Sequence, residues 1–103
     1  MHATIRRYDG VDQNRTAELT GKANETLVPK LEKLPGFAGY YLIEAGNGVV
    51  SSLSLFETPE QGKESTNVVG TWIRDEKLET LIPNEPKITS GQVVAHSDRV
   101  MVA

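Results

Sequence analysis

The side chains able to do chemistry in this 103-residue chain are few, and most are aromatic or hydroxyl-bearing. There is no cysteine, which excludes thiol nucleophiles, disulfides and thiolate metal sites. Trp72 is the single tryptophan, and Tyr8, Tyr40 and Tyr41 are the three tyrosines. A tyrosine in a pocket donates a hydrogen bond or carries a proton; a tryptophan stacks on a flat substrate. Ser52 and Ser54 stand among apolar neighbours. Small hydroxyl residues there leave room for a ligand and offer it polar contacts. A closely packed or solvated stretch is an equal reading, because the strand register decides the face. Arg6, Arg7 and Arg74 offer guanidinium forks for an anion. Alternation along a strand sends Arg6 and Arg7 to opposite faces, so at most one of them enters a given pocket.

Other chemistries find less support. His2 and His96 are the two histidines. They sit at the ends of what read as neighbouring antiparallel strands, so they come near each other. Two imidazoles, with Asp98 or a second chain as the sole further donor, make an incomplete metal site, and no metal is expected. The chain has no Walker loop, no dinucleotide-binding glycine pattern and no serine elbow, so no nucleotide cofactor is expected. A net charge of −3, from 14 acidic and 11 basic residues, argues against a nucleic-acid partner. No apolar run approaches a membrane span, and none follows Arg6-Arg7 as in a signal peptide. The expected location is the cytoplasm, with no membrane partner.

The elements that must hold these residues follow from periodicity. His2–Tyr8 alternates as a strand, Ala3 and Ile5 against Thr4 and Tyr8. Leu19, Ala23, Leu27, Leu31 and Leu34 recur at steps of four and three, a helix face within 11–34. Asp12 is its plausible N-cap. Pro29 lacks the N–H that would bond the Glu25 carbonyl, so a kink or break is expected there. Pro35-Gly36 ends the helix. A strand over 37–45, the Gly46-Asn47-Gly48 turn and a strand over 49–57 make a hairpin. Thr58-Pro59-Glu60-Gln61 carries a capping box with proline at the first helical position. The helix it starts runs to about Asp75, with Ser65, Val69, Trp72 and Ile73 buried. A short helix with Leu78, Leu81 and Ile82 is expected before Pro83. A fourth strand is expected over 87–96, with a bulge at Gly91, and a short extra strand at Val100–Val102.

The order strand, helix, strand, strand, helix, strand predicts an α+β, ferredoxin-like βαββαβ domain over 1–103 with a four-stranded antiparallel sheet. Right-handed crossovers put both helices on one face. The hairpin is apolar on both faces. Phe37, Tyr41 and Ile43 alternate with Tyr40 and Leu42, and Leu53 and Leu55 with Val50 and Phe56. A sheet with one wet face alternates apolar with polar, so a second layer is expected, supplied by an identical subunit in a homodimer.

The stretches Leu34-Pro35-Gly36-Phe37, Gly39-Tyr40-Tyr41, Phe56-Glu57 and the helical Trp72 resemble the dimeric α/β-barrel superfamily. Within it they are most similar to the antibiotic-biosynthesis-monooxygenase (ABM)-like domains. The resemblance implies a ligand cleft between sheet and helices, and a choice among quinone-forming monooxygenases that need no cofactor, haem-degrading enzymes, small isomerases and proteins of unknown role. It implies that Trp72 lines the cleft; helical spacing with Val69 and Ile73 favours a core anchor instead. Asn67 departs from the family's Asn/Trp pairing, because five positions set it about 140° from Trp72. No histidine lies between Trp72 and Pro83, where the haem-degrading branch carries its axial ligand.

Two functions remain. One is a cofactor-independent monooxygenase-like enzyme acting on a small aromatic or polyketide-like substrate. Its cleft candidates are Trp72, Tyr40, Tyr41, Tyr8, Ser52, Ser54 and Arg7. The other is a non-catalytic dimeric module for small-ligand binding or stress response. A buried tyrosine or arginine facing an enclosed cavity favours the enzyme; a wholly aliphatic pocket favours the module.

Overall fold

Strand pairing in the computed structural model, which describes residues 1–97, follows the order β2-β3-β1-β4. The strands are β1 (His2–Tyr8), β2 (Phe37–Gly46), β3 (Val49–Phe56) and β4 (Lys87–Gln92). Every pairing is antiparallel. This is the ferredoxin-like α+β fold. Val100–Val102 and Asp98 lie outside the described residues.

A helical arm joins β1 to β2. It consists of a 3₁₀ turn at Gln13–Arg15, α1 (Thr16–Lys22), a π turn at Ala23–Leu27 and α2 (Val28–Glu32). The Asp12 side chain accepts from the Asn14 N–H and so caps the 3₁₀ turn. The break expected at Pro29 is a π turn just before it. The Val28 N–H reaches back five residues to the Ala23 carbonyl, and Pro29 then occupies the first turn of α2, where no N–H is needed. The turn also serves packing. Apolar residues spaced strictly by four overshoot a 3.6-residue turn and drift around a straight helix. The wider π turn absorbs the surplus and keeps Leu19, Ala23, Leu27 and Leu31 buried on the sheet.

The second crossover is α3 (Pro59–Asp75). Its capping box is complete: Thr58 accepts from the Gln61 N–H, and the Gln61 side chain accepts from the Thr58 N–H. The Gln61 amide lies against Gly36, whose φ of +76° and lack of a Cβ make the close approach feasible.

Three details differ from expectation. Residues 76–82 form hydrogen-bonded turns, not a helix. Leu78, Leu81 and Ile82 are nevertheless buried, with the Leu78 carbonyl accepting from both Leu81 and Ile82 N–H. β4 stops at Gln92 and pairs with β1 in unbroken register through Gly91, without a bulge. The irregularities are in the pairing of β2 with β3, between Phe37 and Gly39 and between Glu44 and Gly46; the first has the larger consequence. The extra residue turns Phe37 to the helix side, where it meets Phe56 edge-on at 5.7 Å. Phe37 therefore shares a face with Tyr40 and Leu42, not with Tyr41 and Ile43.

Candidate functional site

Alternation divides β1 cleanly. Thr4, Arg6 and Tyr8 are buried beneath the helices, and Ile5 and Arg7 are exposed on the open face. On β3 the helix-side residues are Val50, Ser52, Ser54 and Phe56, all buried. Ser52 pairs across from Arg6 and Ser54 from Thr4; on the other flank Tyr40 faces Ser54 and Leu42 faces Ser52. The helix side of the sheet thus carries a strip of small hydroxyl residues amid a hydrocarbon core.

Arg6 fills the room that strip leaves. Its side chain is 0% exposed. Nη1 donates to Ser54 Oγ at 2.8 Å, and Nη2 donates to Ser65 Oγ at 3.0 Å and Thr66 Oγ1 at 2.6 Å. Both α3 hydroxyls donate in turn to the Gly62 carbonyl. Arg6 Nε has no hydrogen-bond partner, and among the described residues no carboxylate pairs with this guanidinium. A charge buried without a counter-ion is expensive, roughly several kcal/mol. Burial pulls the Arg6 pKa down, with Tyr8 and Tyr40 pulling it back.

Two phenols flank this cation. Burial is the main cause that raises the Tyr8 pKa, against the opposing pull of Arg6. Tyr40 is pushed up to about 12, by burial first and Tyr8 second, with Arg6 and Ser52 acting the other way. Both are neutral donors at physiological pH, unsuited to serve as bases. The tyrosinate of Tyr40 forms at lower pH in the unfolded chain than in the folded one. Stability is therefore intact below pH about 10 and falls as pH rises toward about 12. Tyr40→Phe should remove about 2 kcal/mol of that alkaline loss; urea midpoints compared at neutral and alkaline pH check it.

Arg6 and Tyr8 stand in the wall of a cleft of about 470 Å³, between the β1–β4 side of the sheet, α3 and the 79–86 loop. Gly70, Ile73, Ile82, Pro83 and Ile88 give it an apolar lining, Arg74 adds a second guanidinium, and Glu79 and Glu85 stand on the loop side. A separate narrow gap of about 20 Å³ shares Tyr8, Ile73 and Ile82 with the cleft and is lined also by Tyr40 and Trp72. A second opening of about 160 Å³ lies between the helical arm and β2, at Tyr40, Leu42 and Asn24.

No protein-family model matches the chain, and no curated protein does either. Solved structures do. A monooxygenase from the gene ActVA-Orf6 of Streptomyces coelicolor, in complex with nanaomycin D, superposes with a TM-score of 0.71 at 14% identity, over 96% of this chain and 92% of its own. A point mutant of MhuD, with two manganese protoporphyrin IX bound per active site, gives 0.74 at 16%, over 96% and 100%. A dimeric ferredoxin-like protein from an uncultured marine organism gives 0.68 at 15%, over 96% and 92%. The fold is that of the ABM-like ferredoxin-fold proteins.

In this ABM-like fold the candidate residues separate. Tyr8, Tyr40, Ser52 and Ser54 gather with Arg6 on the helix side. Arg7 does not: it lies on the open face and pairs with Asp9 at 3.2 Å. Tyr41 is also on the open face, 58% exposed. Trp72 is 2% exposed and donates from Nε1 to Thr26 Oγ1 at 2.7 Å, which makes it a core anchor that meets the narrow gap but does not line the cleft. Asn67 is exposed. No group of three or more metal-ligating side chains occurs among the described residues. No described helix is long and apolar enough to cross a membrane.

Sequence reasoning named Arg6 among three arginines able to hold an anion but placed Arg7, not Arg6, among the cleft candidates. The signal was present. Thr4, Arg6 and Tyr8 alternate on one face, and the adjacent strand offers serines where a core strand carries valine or leucine. Small hydroxyls beside a long cation leave space for it and acceptors for its N–H groups.

Proposed function

We propose that this chain is a cofactor-independent, monooxygenase-like enzyme acting on a small aromatic or polyketide-like molecule, working in the cytoplasm as a homodimer joined through the open sheet face. The observation that carries this reading is the cleft itself: an apolar slot against α3 whose inner wall holds Arg6 and Tyr8. A wholly aliphatic pocket would serve storage as well; a buried cation with a neutral phenol beside it suits a substrate whose charge develops during reaction. The nanaomycin-bound monooxygenase of similar fold supports the chemistry by analogy. Pairing is supported by the bare apolar side chains of Ile5, Tyr41 and Ile43 on the open face.

In such a reaction an activated aryl CH₂ group, once deprotonated, passes electrons to O₂. One oxygen atom becomes the new carbonyl and the other leaves as water with both hydrogens of the CH₂ group. The substrate supplies the electrons. The chain supplies the slot, the donor of Tyr8, and exclusion of bulk water.

Incubating the protein with a hydroxyanthrone in air tests the assignment. Oxygen uptake should match quinone formation mole for mole, at a rate well above autoxidation. The cleft's acidic groups, Glu79 and Glu85, are both exposed residues of the loop, which favours the second reading, a non-catalytic small-ligand or stress-response module; saturable binding without oxygen uptake would establish that one instead.

A further inference from the structure

We propose that Arg6 is the built-in counter-ion for an acidic oxygen of the cleft's ligand, a carboxylate or an ionised hydroxyl carried on a flat, largely apolar body. The inference rests on the reading that the cleft holds a small aromatic molecule, and it specifies that molecule's charge.

The guanidinium has five N–H donors in a rigid fork. Three hydrogen bonds are made, all to neutral hydroxyl oxygens, which leaves the Nε N–H and one Nη1 N–H over. A structural arginine placed so deep ordinarily has a carboxylate against it. Here the carboxylates of the ion pairs, Asp9, Glu18 and Glu76, are taken by Arg7, Arg15 and Lys22. The nearest phenols are held neutral by burial. The site therefore has a full positive charge and the acceptors to orient it, with no anion to balance it.

The cleft explains where the anion enters. Thr66 lines it next to Arg6. Its hydroxyl is only part-buried, and it keeps the Gly62 carbonyl as a partner at 3.3 Å if a ligand oxygen takes over the Arg6 contact. Arg74, on the same wall, adds positive charge on the approach. Glu79 and Glu85 line the cleft too, but both are exposed residues of the loop at its rim, where solvent screens them more than it screens Arg6. Ile73, Ile82 and Ile88 offer apolar area for the body of the ligand. A charge-assisted contact in such surroundings outweighs its neutral counterpart.

Naphthoate and its neutral isostere naphthamide are the probes, titrated into the intact protein and followed by calorimetry and by proton–nitrogen correlation spectra. Arg6 Nε–H serves as the local reporter, assigned by its loss in Arg6→Lys. Naphthoate should bind at least about tenfold more tightly than naphthamide and shift the Arg6 Nε–H resonance. In Arg6→Gln that preference should vanish, and in Arg74→Gln it should shrink but persist. If Arg6→Gln fails to fold, the acid–amide comparison and the reporter in the unaltered protein still decide the matter. Equal binding of both probes in the cleft would overturn the counter-ion proposal and leave the aromatic-ligand reading intact. No shift at Gly70, Ile73 or Ile88 with either probe would overturn both.

Discussion

Trp72→Ala is expected to cost about 3–5 kcal/mol, a large share of the stability of a domain this size. The indole is almost wholly buried, and its N–H is a polar tie between α3 and the helical arm. It donates to Thr26, which itself donates to the Lys22 carbonyl at the π turn. Removing the ring opens a cavity between α3 and the helical arm and loosens the segment where the backbone has already given up regular α-helical bonding. Trp72→Phe retains most of the apolar volume and loses the donor. Thr26 keeps its bond to Lys22, so the expected cost falls to about 1–2 kcal/mol. Urea denaturation of both variants measures the difference. Equal, near-zero effects would show that the indole is not the anchor its burial implies. A ligand titration of the same variants separates roles: an anchor lowers stability with little direct effect on ligand affinity, whereas a stacking residue does the reverse.

Tyr41→Lys combined with Ile43→Lys should convert a dimer into a folded monomer. Both side chains project from β2 on the face opposite the helices, each more than half exposed in the single chain. Substituting them costs an isolated subunit little, because surface changes of this kind are usually within about 0.5 kcal/mol. Against a two-fold partner the effect is multiplied. Each lysine would enter an apolar contact, and the symmetry repeats the insult in the other subunit, so unpaired buried charge opposes association from both sides. Sedimentation should give about twice the chain mass for the unaltered protein and the chain mass for the variant, with the same circular dichroism. An unaltered protein that sediments as a monomer at micromolar concentration would refute the pairing outright.

The charge at Arg6 connects the fold to both functional readings. In a core built from leucine and valine, a cation held by neutral hydroxyls is a local cost that the rest of the fold must carry. Such costs persist where the group has work to do. This is the physical reason for reading the cleft on the β1–β4 side as the functional opening, rather than the opening at Asn24 and Leu42, whose lining holds no buried ion.

Chain-local features were legible in the sequence because their causes are local. The capping box at Thr58–Gln61, the glycine-rich hairpin turn, the four-residue stripe of the arm and the missing N–H of Pro29 each act within a turn or two. They specify the element order, and the order with right-handed crossovers specifies the ferredoxin-like fold. The doubly apolar hairpin announced a face that the helices leave bare. What the tertiary structure decided is which side chains share a space. A single irregular residue between Phe37 and Gly39 turned Phe37 over, because each one-residue slip of a pleated strand exchanges its faces. The choice between Arg6 and Arg7 had the same origin: alternation separates them, and only the helices' position says which is enclosed. Helical spacing with Val69 and Ile73 pointed Trp72 toward the core; only the tertiary structure supplies Thr26 as the acceptor for its N–H.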